Sequence, residues 1–240
     1  MPAITYVSKV RTRIQRDGLW GTLHVAAFLA LNRVTTCKIF RGVWLERVDP
    51  AFFEEPAGYR GAFLSAEALA RFARDPANEL SPGFVEDALA RGDRCYGVLH
   101  GETLAAYGWY AHGPTPVGLG DLFVRFNPAH VYMYKGFTHE DHRGKRLHAL
   151  GMARAMQYFQ DAGYRGLVSY VESVNLASLK SCYRMGYGSF GSVYLLKLGE
   201  RFLTVSSPGC AQFQFTVGPS GPTPARARSS SRPAGVATRA

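Results

Sequence analysis

The sequence predicts an α/β fold, and three stretches carry that expectation. Val131 to Phe137 is rich in β-branched and aromatic residues and reads as a buried strand. A polar turn, Thr138 to His142, follows it. A helix then opens near Lys145, with Ala149, Met152, Met156 and Phe159 spaced three and four apart. The second stretch runs from the short apolar strand Gly166–Glu172 into a helix over Ala177–Met185. The third is a hairpin, Arg94–His100 and Thr103–His112, turning at Gly101-Glu102.

The remaining elements are taken in chain order. Residues 1–36 form a basic and apolar helical extension. Lys9, Arg11, Arg13 and Arg16 precede the apolar run Leu19–Leu31, which is short of the roughly 20 residues that span a bilayer. The run lacks a small-x-small cleavage site, so a secretory signal is not expected. Two readings stay open for residues 1–33: a pair of helices packed on the domain or on a second subunit, or a helix lying on an anionic membrane surface with Trp20 and the arginines as anchors. The main domain is expected over residues 37–217. Cys37 to Val48 alternates well enough for a first strand, and Asp49 to Gly61 reads as a loop. Ser65 caps a helix over Ala66–Ala73, and a second helix covers Ser81–Ala90. Gly113-Pro114-Thr115-Pro116 is a break, and Leu122–Phe126 is a strand. Gly163 stops the helix that opens near Lys145. Gly191–Leu198 and Gln212–Val217 supply the last strands. Residues 218–240 read as a disordered basic tail, rich in Pro, Ser, Ala and Arg.

Composition narrows the function classes. A 47% hydrophobic content with 13% aromatic residues suffices for a sizeable core and excludes a disordered chain. The formal charge of +10 fits either basic termini or an anionic partner, such as a phosphate-bearing cofactor or lipid head groups; nucleic acid is not expected. Cys37, Cys95, Cys182 and Cys210 form no CxxC pair and have no histidine at zinc-ligand spacing. Free thiols in a reducing compartment, and no metal, follow.

The helix opening near Lys145 carries Arg143, Lys145 and Arg146 beside its free N–H groups and the positive end of its dipole. A strand feeding such a turn is a site for a phosphate-bearing ligand.

These residues resemble the acetyl-CoA signature of the GNAT superfamily of N-acetyltransferases. That loop reads Arg/Gln-x-x-Gly-x-Gly/Ala, and here Arg143-Gly144-Lys145-Arg146-Leu147-His148 occupies it, with both small residues replaced. Asn175, Ser178, Tyr183 and Gly186-Tyr187 fall at the family's second motif. The resemblance covers roughly Tyr96 to Lys197. It implies a central mixed, mostly antiparallel sheet of about six or seven strands, splayed at the cofactor strand, with helices on both faces. It implies acetyl-CoA as co-substrate. Backbone donors at Gly136, Phe137 and Thr138 would meet the thioester and pantetheine arm, and Arg143 to His148 would hold the pyrophosphate. Asn175 and Ser178 would contact the cofactor, although a plain helix cap is the rival role for Asn175. Tyr183 would protonate the departing thiolate. The general base stays open between Glu172 and His139.

The expected activity is acetyl transfer to a primary amine by direct attack in a ternary complex, in the cytoplasm or on the inner membrane face. The amine belongs to a small molecule or a protein, and a homodimer is one expected state. Two alternatives stand beside it: N-acylation with a long chain delivered by acyl-carrier protein, and a non-catalytic module attached to membrane or nucleic acid.

Overall fold

The computed structural model describes residues 3–220. Of the disordered tail expected over residues 218–240, residues 221–240 lie outside the described residues, while Gly218 and Pro219 belong to a short strand, which corrects the start of the tail. The elements in chain order are α1 (Ala3–Leu31), β1 (Cys37–Leu45), β2 (Tyr59–Phe63), α2 (Ala66–Phe72), α3 (Pro82–Ala90), β3 (Arg94–His100), β4 (Thr103–Ala111), β5 (Thr115–Pro116), β6 (Leu122–Arg125), β7 (His130–Thr138), α4 (Leu147–Asp161), β8 (Gly166–Glu172), α5 (Leu176–Arg184), β9 (Gly188–Leu198), β10 (Arg201–Ser206) and β11 (Thr216–Pro219).

Eight strands form one sheet in the order β10-β9-β1-β8-β7-β4-β3-β2, and a smaller sheet runs β11-β6-β5. Every neighbouring pair is antiparallel except β7 and β8. The architecture is therefore the mixed, mostly antiparallel α/β sheet that the resemblance implies. It has more strands than the expected six or seven. Two of the extra strands are β2, which falls where a loop was expected, and β10, which was not foreseen. Both are edge strands, where one partner strand is enough and alternation is weak. The stretch 212–217 also differs: Pro208–Phe213 is a 3-10 turn, and the strand starts only at Thr216.

Alternate residues of the central strands feed opposite faces. Val131, Met133, Leu167 and Tyr110 pack with Leu147, Leu150, Met156 and Phe159 of α4. On the other face Tyr132, Val168 and Phe40 pack with Leu122 and Val124 of the smaller sheet and with Phe215, which precedes β11. Leu69, Phe72 and Val85 of α2 and α3 cover Leu104, Tyr107 and Trp109 on that same side. Helices thus lie on both faces. Ser65 and Ser81 cap α2 and α3 as their positions predict, accepting from the backbone N–H groups of Ala68 and Phe84 at 3.2 and 3.3 Å.

The first strand is not at an edge of the sheet. β1 lies between β8 and β9, paired with both. The N-terminal extension is one helix broken at Gly18, whose φ of 76° and ψ of 168° are not helical.

Candidate functional site

The sheet opens at β7. Its parallel ladder with β8 holds only His130, Val131 and Tyr132, against Gly166, Leu167 and Val168. On its other side β7 stays paired with β4 to Thr138, with a bulge at Tyr134, since Lys135 faces Trp109 while Met133 faces Tyr110. From Met133 onward one edge of β7 is therefore free of β8. Ser169 bridges the start of the gap by donating to the Met133 carbonyl at 2.7 Å.

Beyond Thr138 the chain makes a short 3-10 turn and enters the loop Arg143–Arg146. Gly144 has φ of +82° and Arg146 has φ of +59°. Arg146 is the N-cap of α4 and makes no side-chain cap bond. It stands where the family pattern has glycine, and it keeps the left-handed backbone that glycine adopts most easily. The loop is thus shaped as for a small residue while displaying a guanidinium.

A cleft of about 560 Å³ lies at this point between the α4 start and α5. Arg143, Arg146 and Arg184 line it, together with Thr138, Gly144 and Ser181, and no carboxylate does. Arg143 donates to the Thr138 carbonyl at 3.3 Å, which draws its guanidinium across the strand end. Three guanidinium groups and a helix N-terminus, without a counter-charge, make an anion cradle. Phosphate oxygens fit this donor set.

His148 does not stand in the loop. Its ring lies against Gly136, where an added Cβ would come within 2.2 Å of Cε1. Gly136 is therefore needed for this close approach rather than for its backbone angles. Burial pushes the imidazole pKa down, so it is neutral at pH 7. Lys145 also departs from the expected role. Its ammonium donates to the Tyr59 hydroxyl at 2.7 Å, and that hydroxyl lies 2.8 Å from His142 Nδ1. Partial burial and then the Lys145 charge lower the His142 pKa, so the neutral ring accepts from Tyr59.

The second set of expected residues is more scattered. Asn175 caps α5, its Oδ1 accepting from the Ser178 N–H at 3.1 Å, which is the rival role named above. Tyr183 is 49% exposed, and the residues that line the anion cleft here are Ser181 and Arg184 of α5 and Met185, its C-cap. Glu172 pairs with Lys38 at 2.9 Å and lines another cleft, of about 350 Å³, under α1. His139 sits in the turn, 3.6 Å from Asp141. Phe137 stacks on Tyr107 at 5.3 Å, beneath the strand edge.

Sequence reasoning missed three contributors. Tyr59 is on an edge strand without a motif. Ser169 is one polar residue inside an apolar strand. Arg184 had a local signal, because it follows Ser181 by three on the last turn of α5 and so shares a face with it.

The Acetyltransferase (GNAT) family matches residues 62–187. Among solved structures, a Drosophila protein aligns at 17% identity over 75% of this chain and 58% of its own, with TM-score 0.46. A tandem GNAT protein from the clavulanic acid biosynthesis pathway aligns at 18% over the same shares, with TM-score 0.47. An acetyltransferase from the GNAT family of Colwellia psychrerythraea aligns at 13% over 75% and 61%, with TM-score 0.44. The chain thus spans about 58% of the length of the first two. No protein of curated function matches it. The family match reaches from the end of β2 to the start of β9 and takes in the opened strand, the anion loop and α5: this chain belongs to the acetyltransferase (GNAT) family.

Proposed function

We propose that the protein is an acyl-CoA-dependent N-acyltransferase that moves an acetyl group from acetyl-CoA to a primary amine. The observation that carries this reading is the carboxylate-free arginine cleft at the α4 start, set beside the free edge of β7. The cofactor supplies the activated acyl group. Arg143, Arg146, Arg184 and the first N–H groups of α4 hold its diphosphate. The unpaired edge around Gly136 and Thr138 orients the thioester and meets the charge that develops on its carbonyl oxygen.

The amine must lose a proton and the thiolate must gain one. Tyr183, a half-exposed residue of α5, is the proposed donor. Glu172 is the proposed base, held by the Lys38 ammonium. Asn175 and Ser178 support the arrangement by fixing the start of α5.

Calorimetry with acetyl-CoA and a free-thiol assay over a panel of amines test this. Micromolar association and thiol release with at least one amine are expected. Absence of any heat of association removes the donor from the scheme. The carrier-protein alternative draws on one observation, the largely apolar lining of the cleft under α1. Stabilisation by acyl-carrier protein without stabilisation by acetyl-CoA would select it.

A further inference from the structure

Helix α1 has two unlike sides. Val25 is 3% exposed, Gly21 faces Leu176, and His24 Nε2 lies 3.1 Å from Ser173 Oγ. This side rests on the domain at the start of α5. At 100° per residue, Leu19, Trp20, Leu23, Ala27, Ala30 and Leu31 fall together on the other side, within roughly a third of the circumference. All six are exposed, Trp20 to 83%. No Asp, Glu, Lys or Arg occurs from Leu19 to Leu31. A continuous uncharged face of this kind on a surface helix marks a contact site. No helix among the described residues is long and apolar enough to cross a membrane.

The flanks say what the contact is. Lys9, Arg11, Arg13 and Arg16 precede the apolar face, and the exposed Arg33 follows it. Asp17 is the only acid between residues 3 and 31, and Arg16 and Lys180 already hold it, at 2.8 and 3.6 Å. The break at Gly18 separates the basic half from the apolar half, so the two can meet a surface at different angles. A second copy of the chain is a poor occupant. Antiparallel packing of this face on itself would bring the basic half against Arg33, and parallel packing would stack basic half on basic half.

We propose that this face docks on an anionic phospholipid surface. Leu19, Trp20 and Leu23 enter the boundary between head groups and acyl chains, and the basic half of α1 pairs with lipid phosphates. This inference is independent of the acetyl-transfer reading.

The test is co-sedimentation of the full chain with phosphatidylcholine vesicles, with and without phosphatidylglycerol. Binding only to the anionic vesicles, weakened by salt, is expected. Tryptophan emission should shift to the blue on binding, and Trp20→Phe should remove the shift while binding persists, because Trp109 is fully buried and Trp44 is partly so. Arg11→Ala with Arg13→Ala should weaken binding about 25-fold, at about fivefold per cation. Leu23→Glu should abolish it. Failure to bind anionic vesicles overturns the proposal. So does a concentration-dependent dimer that Leu23→Glu converts to monomer without lipid, which would give the face to a second copy. If Leu23→Glu does not fold, the arginine pair decides the matter.

Discussion

Two clefts, one at the α4 start and one under α1, are built in opposite ways. The one at the α4 start is cationic and comes mainly from residues 138–149, a contiguous strand, turn and helix start. The one under α1 is mostly apolar, holds an ammonium–carboxylate pair, and draws on Val25, Lys38 and Glu172, three segments far apart in the chain. The difference shows where recognition can be local. A diphosphate needs free N–H groups and fixed cations, which one loop and one helix end provide together. An acceptor is defined by shape and by a proton path, which take side chains from several elements.

The sharpest way to break this contrast is at Gly136. Gly136→Val should displace the His148 ring and close the free edge of β7, and turnover should fall by about 100-fold or more, since well-packed positions tolerate added groups poorly. Gly136→Ala should lose less, and Gly136→Ala combined with His148→Ala should recover part of it. If His148→Ala recovers nothing, the two residues are not coupled and the steric account fails.

The next effect separates the clefts directly. Arg184→Ala should weaken acetyl-CoA binding about tenfold, read by calorimetry, with the loss shrinking at high salt. Glu172→Gln should leave that binding unchanged and lower turnover instead. The reverse outcome would exchange the roles of the two clefts. Arg146→Gly should split into two parts. The fold should gain about 1 kcal/mol in thermal or denaturant melts by releasing the left-handed backbone, while cofactor affinity falls.

The smallest effect is on pH dependence. Burial lowers the pKa of His112, His130 and His148 below 6.5. The unfolded chain takes up protons at these sites near pH 6.5, where the folded one does not. Stability is therefore full above that value and is lost as the pH falls below it. Melting temperatures between pH 7.5 and 5 should show the decline, and His148→Gln should make it shallower.

How much of this was readable follows from the same contrast. The β7–loop–α4 unit was legible because its pattern is local: an aromatic and β-branched strand, cations at a helix start, and apolar residues three and four apart. The serine caps of α2 and α3 were legible for the same reason. Lys145 was assigned to phosphate by its position, but its ammonium turns to Tyr59, a partner 86 residues away that no local pattern announces. β2 and β10 carry too little alternation to stand out as edge strands. Arg146 shows the converse limit. A departure from the family pattern in sequence proves to be no departure in backbone conformation.

The placement of β1 has a consequence for how the protein is made. Its partners β8 and β9 are joined to it through ladders such as Phe40 with Glu172 and Phe40 with Val193, more than 130 residues apart. A strand made well before both its partners must wait for β8 and β9 before it can be zipped in. Until then it is an apolar segment with two open edges, and closing so long a loop is slow. Nascent chains halted before residue 166 should therefore hold this strand unpaired and within reach of chaperones.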